Sequence, residues 1–233
     1  MANFLKSLFF GEAEETEEEK AARNFDVLKY DGIKALKVGK HGYAIRCFNE
    51  ALKIREDAEV LEHLVAAYSR DEDMEKAIET AGRMAEIEPE NIPVLLMRAN
   101  LNYVAERYDE AVADCERVIA LEAENPSAHF LLGKAKKDAG DQLGAIVGLS
   151  KAIQLKEDFA EALLLRAEVM LSAGDYKDGL EDIGKVVELL PEEESAYLVR
   201  GRLQEAAGDQ EAAEEDYRYV TELNPFNEQA YLC

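Results

Sequence analysis

The sequence is short of basic residues and of cysteine. Lysine and arginine together number 27 against 50 aspartates and glutamates, which gives a net charge of −23. Because this charge repels phosphate backbones and anionic lipid headgroups, we expect no nucleic-acid partner. The three cysteines, Cys47, Cys115 and Cys233, contain no Cys-x-x-Cys pair, so the sequence predicts neither a disulfide framework nor a zinc site. A reducing compartment fits this cysteine usage best, and we expect a cytoplasmic protein.

Long apolar runs are also absent. No stretch approaches the ~18 uninterrupted apolar residues of a transmembrane helix, so we expect no integral membrane span. The opening residues, "MANFLKSLFFGEAEETEEEK", read poorly as a secretory signal, because Lys6 and Ser7 interrupt the apolar run and acidic residues follow Gly11. With 48% hydrophobic and 33% charged residues, the chain has the composition of a folded, helix-rich protein.

Small residues recur with a period of 33 or 34 residues. Six repeats begin at Phe25, Ala58, Ile92, Pro126, Ala160 and Glu194. Counted from the first residue of each repeat, position 20 is alanine or glycine in all six and position 8 in five. Two helices approach closely only where side chains are small, so these positions predict the contact between a first and a second helix. Position 30 is aliphatic throughout, and we expect it to anchor the end of the second helix.

This pattern resembles the tetratricopeptide repeat family, whose helix-turn-helix repeat has small residues at positions 8 and 20. The resemblance covers about residues 25–227 and implies an all-α, right-handed α-solenoid. The second repeat departs most from the pattern, with Val65 at position 8. We predict an apolar segment with an acidic helix or linker over 1–24, repeats over 25–57, 58–91, 92–125, 126–159, 160–193 and 194–227, and the start of a partial capping helix over 228–233.

A second regularity links positions 7 and 23 of the repeat. Arginine at position 7 coincides with aspartate at position 23 in three repeats, and the other three repeats have no arginine at position 7 and no aspartate at position 23. A buried arginine needs a carboxylate partner, so this joint presence predicts structural ion pairs between the two helices of a repeat. The predicted pairs are Arg98 with Asp114, Arg166 with Asp182, and Arg200 with Asp216.

No motif predicts a catalytic, metal or cofactor site. His41, His63 and His129 fall at unrelated repeat positions, whereas a nucleophile, its base and an orienting group must meet in space. The chain contains no Walker loop, nucleophile elbow or dinucleotide fingerprint. His129 takes a normally apolar position and is predicted to be a hydrogen-bonded core residue. We therefore expect a non-enzymatic protein without cofactor or metal.

The resemblance implies a binding groove on the first helices, at positions 5, 9 and 12. Members of the family bind peptides or partner segments there, which implies a protein-protein interaction scaffold. Position 5 is apolar in repeats three to six, and charged residues stand beside it. The predicted peptide-binding residues are Leu96, Asn100, Tyr103, Phe130, Lys134, Lys137, Leu164, Glu168, Leu198 and Arg202. An apolar line beside alternating charge suits an amphipathic partner; the alternative is that the next repeat covers position 5, whose role is then structural.

One subfamily uses a similar groove to clamp the C-terminal carboxylates of molecular chaperones. Asn100 matches one position of that clamp, but the other positions are occupied by Leu96, Leu131, Glu161 and Leu165. We therefore do not expect binding of chaperone termini through that clamp.

The apolar opening segment leaves several interpretations open. As a helix it places Phe4, Leu5, Leu8 and Phe9 on one face. It can dock on its own groove, on the first repeat or on a second copy, whereas six nearby glutamates oppose binding to an anionic membrane. The alternative function is therefore a self-assembling structural module, a homo-oligomer formed through this segment or through the exposed terminal repeat.

Overall fold

The structure is a computed structural model that describes residues 16–232. Within that range the chain forms thirteen α-helices and no β-strand, which confirms the predicted all-α fold class. They group into two compact units that divide between Pro89 and Glu90. The N-terminal unit contains α1 (Glu17–Lys37), α2 (His41–Ile54), α3 (Ala58–Arg70) and α4 (Met74–Ile87). The C-terminal unit contains α5 (Ile92–Val104), α6 (Tyr108–Leu121), α7 (Pro126–Asp138), α8 (Gln142–Leu155), α9 (Ala160–Ala173), α10 (Tyr176–Leu189), α11 (Glu194–Ala207), α12 (Gln210–Leu223) and α13 (Glu228–Leu232).

Within each unit, every helix packs against the next helix along the chain. Local sequence explains where many of these helices begin and end. Asn125 accepts a hydrogen bond from the N–H of Ala128 at 2.9 Å, and Pro126 occupies the first turn of α7. Such a cap pairs a backbone donor that the helix leaves unsatisfied. Gly174 and Gly208 follow α9 and α11 with φ of 86° and 91°, a left-handed conformation that favours glycine.

The acidic residues before the first repeat are partly helical. Thr16 and Glu19 form a capping box, in which each side chain accepts a hydrogen bond from the other residue's backbone N–H. From Glu17 the helix continues without a break to Lys37, so residues 17–24 extend the first helix of repeat one. The predictions made for residues 1–11, including docking and self-assembly, lie outside the described residues.

Close approach of the two helices of a repeat requires the small residues at position 8. A Cβ atom added at Gly133 would lie 2.7 Å from Cγ of Leu149, and one at Gly201 would lie 2.5 Å from Cε1 of Tyr217. Both distances are shorter than any ordinary carbon-carbon contact. The second helix therefore packs directly on the backbone of the first, as the spacing of small residues predicts.

The aliphatic residue at position 30 does not anchor the second helix, contrary to expectation. It is the last residue of each second helix, and five of these six side chains are 37–47% exposed. Position 27, one turn earlier, is buried in all six repeats: Ala51, Met84, Val118, Ala152, Val186 and Val220. The buried anchor of each second helix is therefore the side chain one turn before its end.

The short helix α13 packs on the end of the last repeat. Its Ala230 is buried in a cluster with Tyr217 of α12 and Leu198 of α11. The side chain of Asn227 accepts hydrogen bonds from the N–H groups of Gln229 and Ala230 at 3.1 and 3.3 Å. This cap fixes where α13 begins relative to the first helix of repeat six.

Candidate functional site

The first helices of repeats three to six form the inner layer of the C-terminal unit. Each first helix contacts the first helix of the next repeat, in the order α5, α7, α9 and α11. These contacts are more extensive than the contacts between the second helices of neighbouring repeats. A stack of helix pairs curves toward the layer whose helices lie closer together. The first helices therefore line a concave groove in this unit, and positions 5, 9 and 12 are on them.

An apolar row runs along these helices at position 5. It consists of Leu96, Phe130, Leu164 and Leu198, of which the first three are half-buried and the last is 7% exposed. The ring of Phe130 lies 4.9 Å from the ring of Phe159, just before α9. Leu198 packs in the cluster that contains Ala230. The row is therefore partly covered by the following elements, and its accessible surface comes mainly from its first three residues.

The polar residues beside the apolar row connect neighbouring repeats. The ammonium group of Lys134 lies 4.4 Å from the ring centre of Tyr103, and the hydroxyl of Tyr103 donates to the carboxylate of Asp138. Burial, followed by this hydrogen bond, raises the pKa of Tyr103 well above its ordinary value, so the phenol stays protonated and keeps donating. Lys137 lies 3.4 Å from a carboxylate oxygen of Glu168. Four of the ten predicted peptide-binding residues thus contact one another across repeats three, four and five.

Two further polar residues, Asn100 and Arg202, lie at opposite ends of the groove. Asn100 is exposed on α5. Arg202 is exposed on α11, and its guanidinium approaches the side-chain oxygen of Gln229 at 3.4 Å. These side chains are accessible to a partner, but they do not join the Tyr103–Lys134 and Lys137–Glu168 contacts.

The structure places each arginine of position 7 against the aspartate of position 23. Arg166 donates from Nε and Nη2 to the two carboxylate oxygens of Asp182 at 2.6 and 2.7 Å, and from Nη1 to Ser150 of the preceding repeat at 2.8 Å. Arg200 forms the same two-pronged pair with Asp216 at 2.8 and 2.6 Å, and this hydrogen bonding raises the pKa of Arg200.

The third pair follows the same geometry. Arg98 donates from Nε to Asp114 at 2.9 Å and makes a second bond from Nη2. The three aspartates are 4%, 2% and 5% exposed, in chain order. These pairs therefore lie between the two helices of a repeat, behind the groove, and tie one layer of helices to the other.

An acidic cleft lies at the far end of the groove, and sequence reasoning missed it. It has a volume of about 620 Å³, and its lining consists of Glu192, Glu193, Glu194, Ser195, Leu198, Asn227, Glu228 and Gln229. The loop before α11 and the start of α13 bring its two walls together. The consecutive glutamates 192–194 were its signal in the sequence, but glutamate is too common in this chain for such a run to stand out.

The core encloses three side chains that could otherwise take part in catalysis or redox chemistry: His129, Cys47 and Cys115. His129 is buried, and its Nε2 lies 3.0 Å from the carbonyl oxygen of Ala123, in keeping with the predicted core role. Cys47 and Cys115 are buried free thiols, and burial raises the pKa of Cys115 to about 12. Among residues 16–232, no group of three or more histidine, cysteine, aspartate or glutamate side chains is arranged to hold a metal ion.

Over the described part of the chain, no helix has the length and hydrophobicity needed to cross a bilayer.

Comparison with solved structures finds the same helical architecture. YrrB, described as a TPR protein with an unusual peptide-binding site, is 21% identical with a TM-score of 0.64, covering 79% of this chain and 96% of its own. The pilF protein of Pseudomonas aeruginosa is 17% identical with a TM-score of 0.70, covering 91% and 97%. PilW, a type IV pilus biogenesis factor, is 16% identical with a TM-score of 0.74, covering 89% and 97%. At these identities the similarity establishes the fold alone.

Comparison with sequence families is more specific. No curated protein matches the chain significantly. The tetratricopeptide repeat family model matches residues 96–154 and 164–228, which together make up more than half of the sequence. The chain therefore belongs to the tetratricopeptide repeat family.

Proposed function

We propose that this protein is a non-enzymatic scaffold that binds an amphipathic segment of a protein partner in the groove of its C-terminal unit. The observation that carries the proposal is the apolar row, whose residues Leu96, Phe130 and Leu164 are only partly buried on the concave layer of an otherwise highly charged chain. A partner gains affinity by burying these side chains, and the adjacent charges set its register. The peptide-binding site for which YrrB is described supports such a role for this fold.

The N-terminal unit offers no comparable row. Position 5 of repeat one is Lys29, whose ammonium lies 2.5 Å from Glu59 and 3.3 Å from Asp57. The hydrogen bond to Glu59 is the main cause that raises the pKa of Lys29. Position 5 of repeat two is Glu62, which is exposed. Since these residues are polar and Lys29 is already paired, we assign the binding groove to residues 90–232.

Single charge substitutions in the apolar row test this proposal. The variants Leu164→Glu and Phe130→Glu place a carboxylate where the partner is proposed to bury apolar surface, which costs about 2 kcal/mol or more per lost contact. Partner recovery from the native organism, quantified by mass spectrometry, should fall about tenfold or more. Circular dichroism and thermal melting verify that the variants remain folded.

Leu143→Glu is the matched control. Leu143 is 78% exposed on α8, a second helix, and so lies outside the groove. This variant makes the same chemical change and should recover the partner as the wild type does. Equal recovery by wild type, Leu164→Glu and Phe130→Glu would show that the partner binds elsewhere.

A further inference from the structure

We propose, on the basis of the function just assigned, that the partner segment carries opposite charges at its two ends. An acidic end lies over Lys134 and Lys137 in repeat four, an apolar middle covers Leu164, and a basic end enters the acidic cleft. The partner is thus a charge-ordered amphipathic peptide, which neither the apolar row nor the family fold specifies.

The basic end of the groove is exceptional within the C-terminal unit. Repeat four has five basic and four acidic residues, whereas repeats three, five and six have three basic residues each against seven, nine and eight acidic ones. Two of its lysines, Lys134 and Lys137, stand at the groove positions 9 and 12. Among the described residues, Lys134 contacts no carboxylate, since its ammonium lies over the Tyr103 ring. A carboxylate from a partner can therefore pair with Lys134 without breaking an existing ion pair.

The cleft at the other end has the opposite character. None of its four glutamates pairs with a lysine or arginine within residues 16–232. Glu194 accepts hydrogen bonds from the side chains of Asn224 and Asn227 at 3.1 and 2.7 Å, and Glu193 accepts one from Ser195 at 2.6 Å. Leu198 adds only a small apolar area to the lining, because its side chain is 7% exposed. A lysine or arginine side chain suits this space, because its long flexible stem lets the charged group reach the carboxylates.

Nearby charges of the other sign do not cancel this asymmetry. Glu168 lies between the two ends, but its carboxylate is already 3.4 Å from Lys137. Arg202 stands beside the cleft, and its guanidinium is directed to Gln229 rather than to a glutamate. Lys134 is thus the positive charge in repeat four that has no carboxylate partner among the described residues, whereas at the cleft four glutamates outnumber the single Arg202.

The spacing of the two ends sets the length of the partner segment. The two ends are two repeats apart, and neighbouring packed helices are separated by about 8–10 Å. Along the helix axes, the cleft lies about 10 Å closer to the N-termini of the first helices than Lys134 and Lys137 do. The ends are therefore about 20–25 Å apart. An extended peptide spans this distance with about seven residues. Either chain direction is compatible, since the charges and not the peptide backbone define the order.

Selection from a random peptide library tests this charge order. Phage-displayed twelve-residue peptides are selected on the full-length protein, and the positions of acidic and basic residues are read by sequencing. We expect enriched peptides to carry Asp or Glu and Lys or Arg at opposite ends, about seven residues apart, with apolar residues between. Peptides without such separation would overturn the proposal.

Charge-reversal variants then assign each end to its place in the groove. An enriched peptide should bind Lys134→Glu/Lys137→Glu about tenfold more weakly, and the same peptide with its acids changed to lysine should recover affinity for this variant. The same peptide should bind Glu192→Lys/Glu193→Lys about tenfold more weakly, and changing its basic residues to glutamate should recover affinity for this variant. The control Lys151→Glu/Lys177→Glu makes the same change in charge on α8 and α10, which are second helices outside the groove, and should bind like the wild type.

Failure of this inference is distinguishable from failure of the proposed function. If enriched peptides lose affinity for Leu164→Glu but keep it for both groove charge reversals, the groove binds peptides without the proposed charge order. If no peptide is enriched, or if Leu164→Glu binds enriched peptides as tightly as the wild type, both proposals are wrong.

Discussion

The arginine-aspartate pairs show how a buried charge is tolerated in this repeat. Each aspartate is almost completely removed from water, and each receives two hydrogen bonds from one guanidinium. Desolvation of the two ions opposes their attraction, so a buried pair contributes little net stability compared with well-packed apolar residues. Removing one partner is different, because it leaves the other charge buried and unpaired.

Arg166→Leu should therefore lower the free energy of unfolding by about 3–5 kcal/mol. The double variant Arg166→Leu/Asp182→Leu should recover much of this loss, because it removes both charges. Urea denaturation of wild type, both single variants and the double variant measures the coupling.

An exposed pair on α10 provides the comparison for Arg166. Lys185 and Glu181 lie 3.1 Å apart with side chains 50% and 70% exposed, so Lys185→Ala should cost about 1 kcal/mol or less. If the losses of unfolding free energy caused by Arg166→Leu and Asp182→Leu simply add in the double variant, the two side chains do not stabilise the fold as an ion pair.

At the scale of helices, the small residues at position 8 determine how closely each pair packs. Gly133 lies in α7 against Leu149 of α8, where an added Cβ would also lie 3.0 Å from the backbone nitrogen of Leu149. Backbone atoms cannot move aside as the end of a flexible side chain can. The close approach of α7 and α8 therefore depends on the absence of a side chain at this position.

Gly133→Ala should destabilise the protein by about 1–3 kcal/mol through overpacking. Gly184→Ala in α10 is the matched control, because a Cβ there has no neighbour within 4 Å among the described residues. This control should stabilise the helix by about 0.5–1 kcal/mol, the usual gain when alanine replaces glycine in a helix interior. Denaturant midpoints of the two variants should move in opposite directions, and a stabilising Gly133→Ala would refute the packing account.

For the whole molecule, the dominant property is the net charge of −23. Local ion pairs cannot compensate an excess of acids this large, so the folded chain experiences net self-repulsion. Salt screens that repulsion over distances of about 8–10 Å at physiological ionic strength.

Raising the NaCl concentration should therefore raise the melting temperature. If screening recovers about 1 kcal/mol, the increase is about 2–4 °C for a chain of this size. Calorimetry at low and moderate salt measures the shift, with a neutral osmolyte series as the control for nonionic effects. A melting temperature that falls with salt would mean that local ion pairs outweigh the overall repulsion.

The repeat and the residues that build it follow from the amino-acid sequence alone. The spacing of small residues predicts which helices touch, because close packing excludes a side chain wherever it occurs. The joint presence of Arg166 and Asp182 predicts their pairing for an equally local reason, since both lie in one repeat. Side chains such as Asn125 and glycines such as Gly174 mark helix ends through their own backbone chemistry.

Which of these residues remain accessible depends on how the repeats pack against one another. Leu198 matches Leu164 in repeat position, yet packing by α13 buries it. Five of the six position-30 residues are exposed, although their aliphatic pattern is typical of a core position. The placement of Lys134 on Tyr103 and the assembly of the acidic cleft likewise depend on neighbouring repeats. The burial of Leu198 and the placement of Lys134 depend on contacts between residues about 30 positions apart, which a repeat pattern read one repeat at a time does not contain.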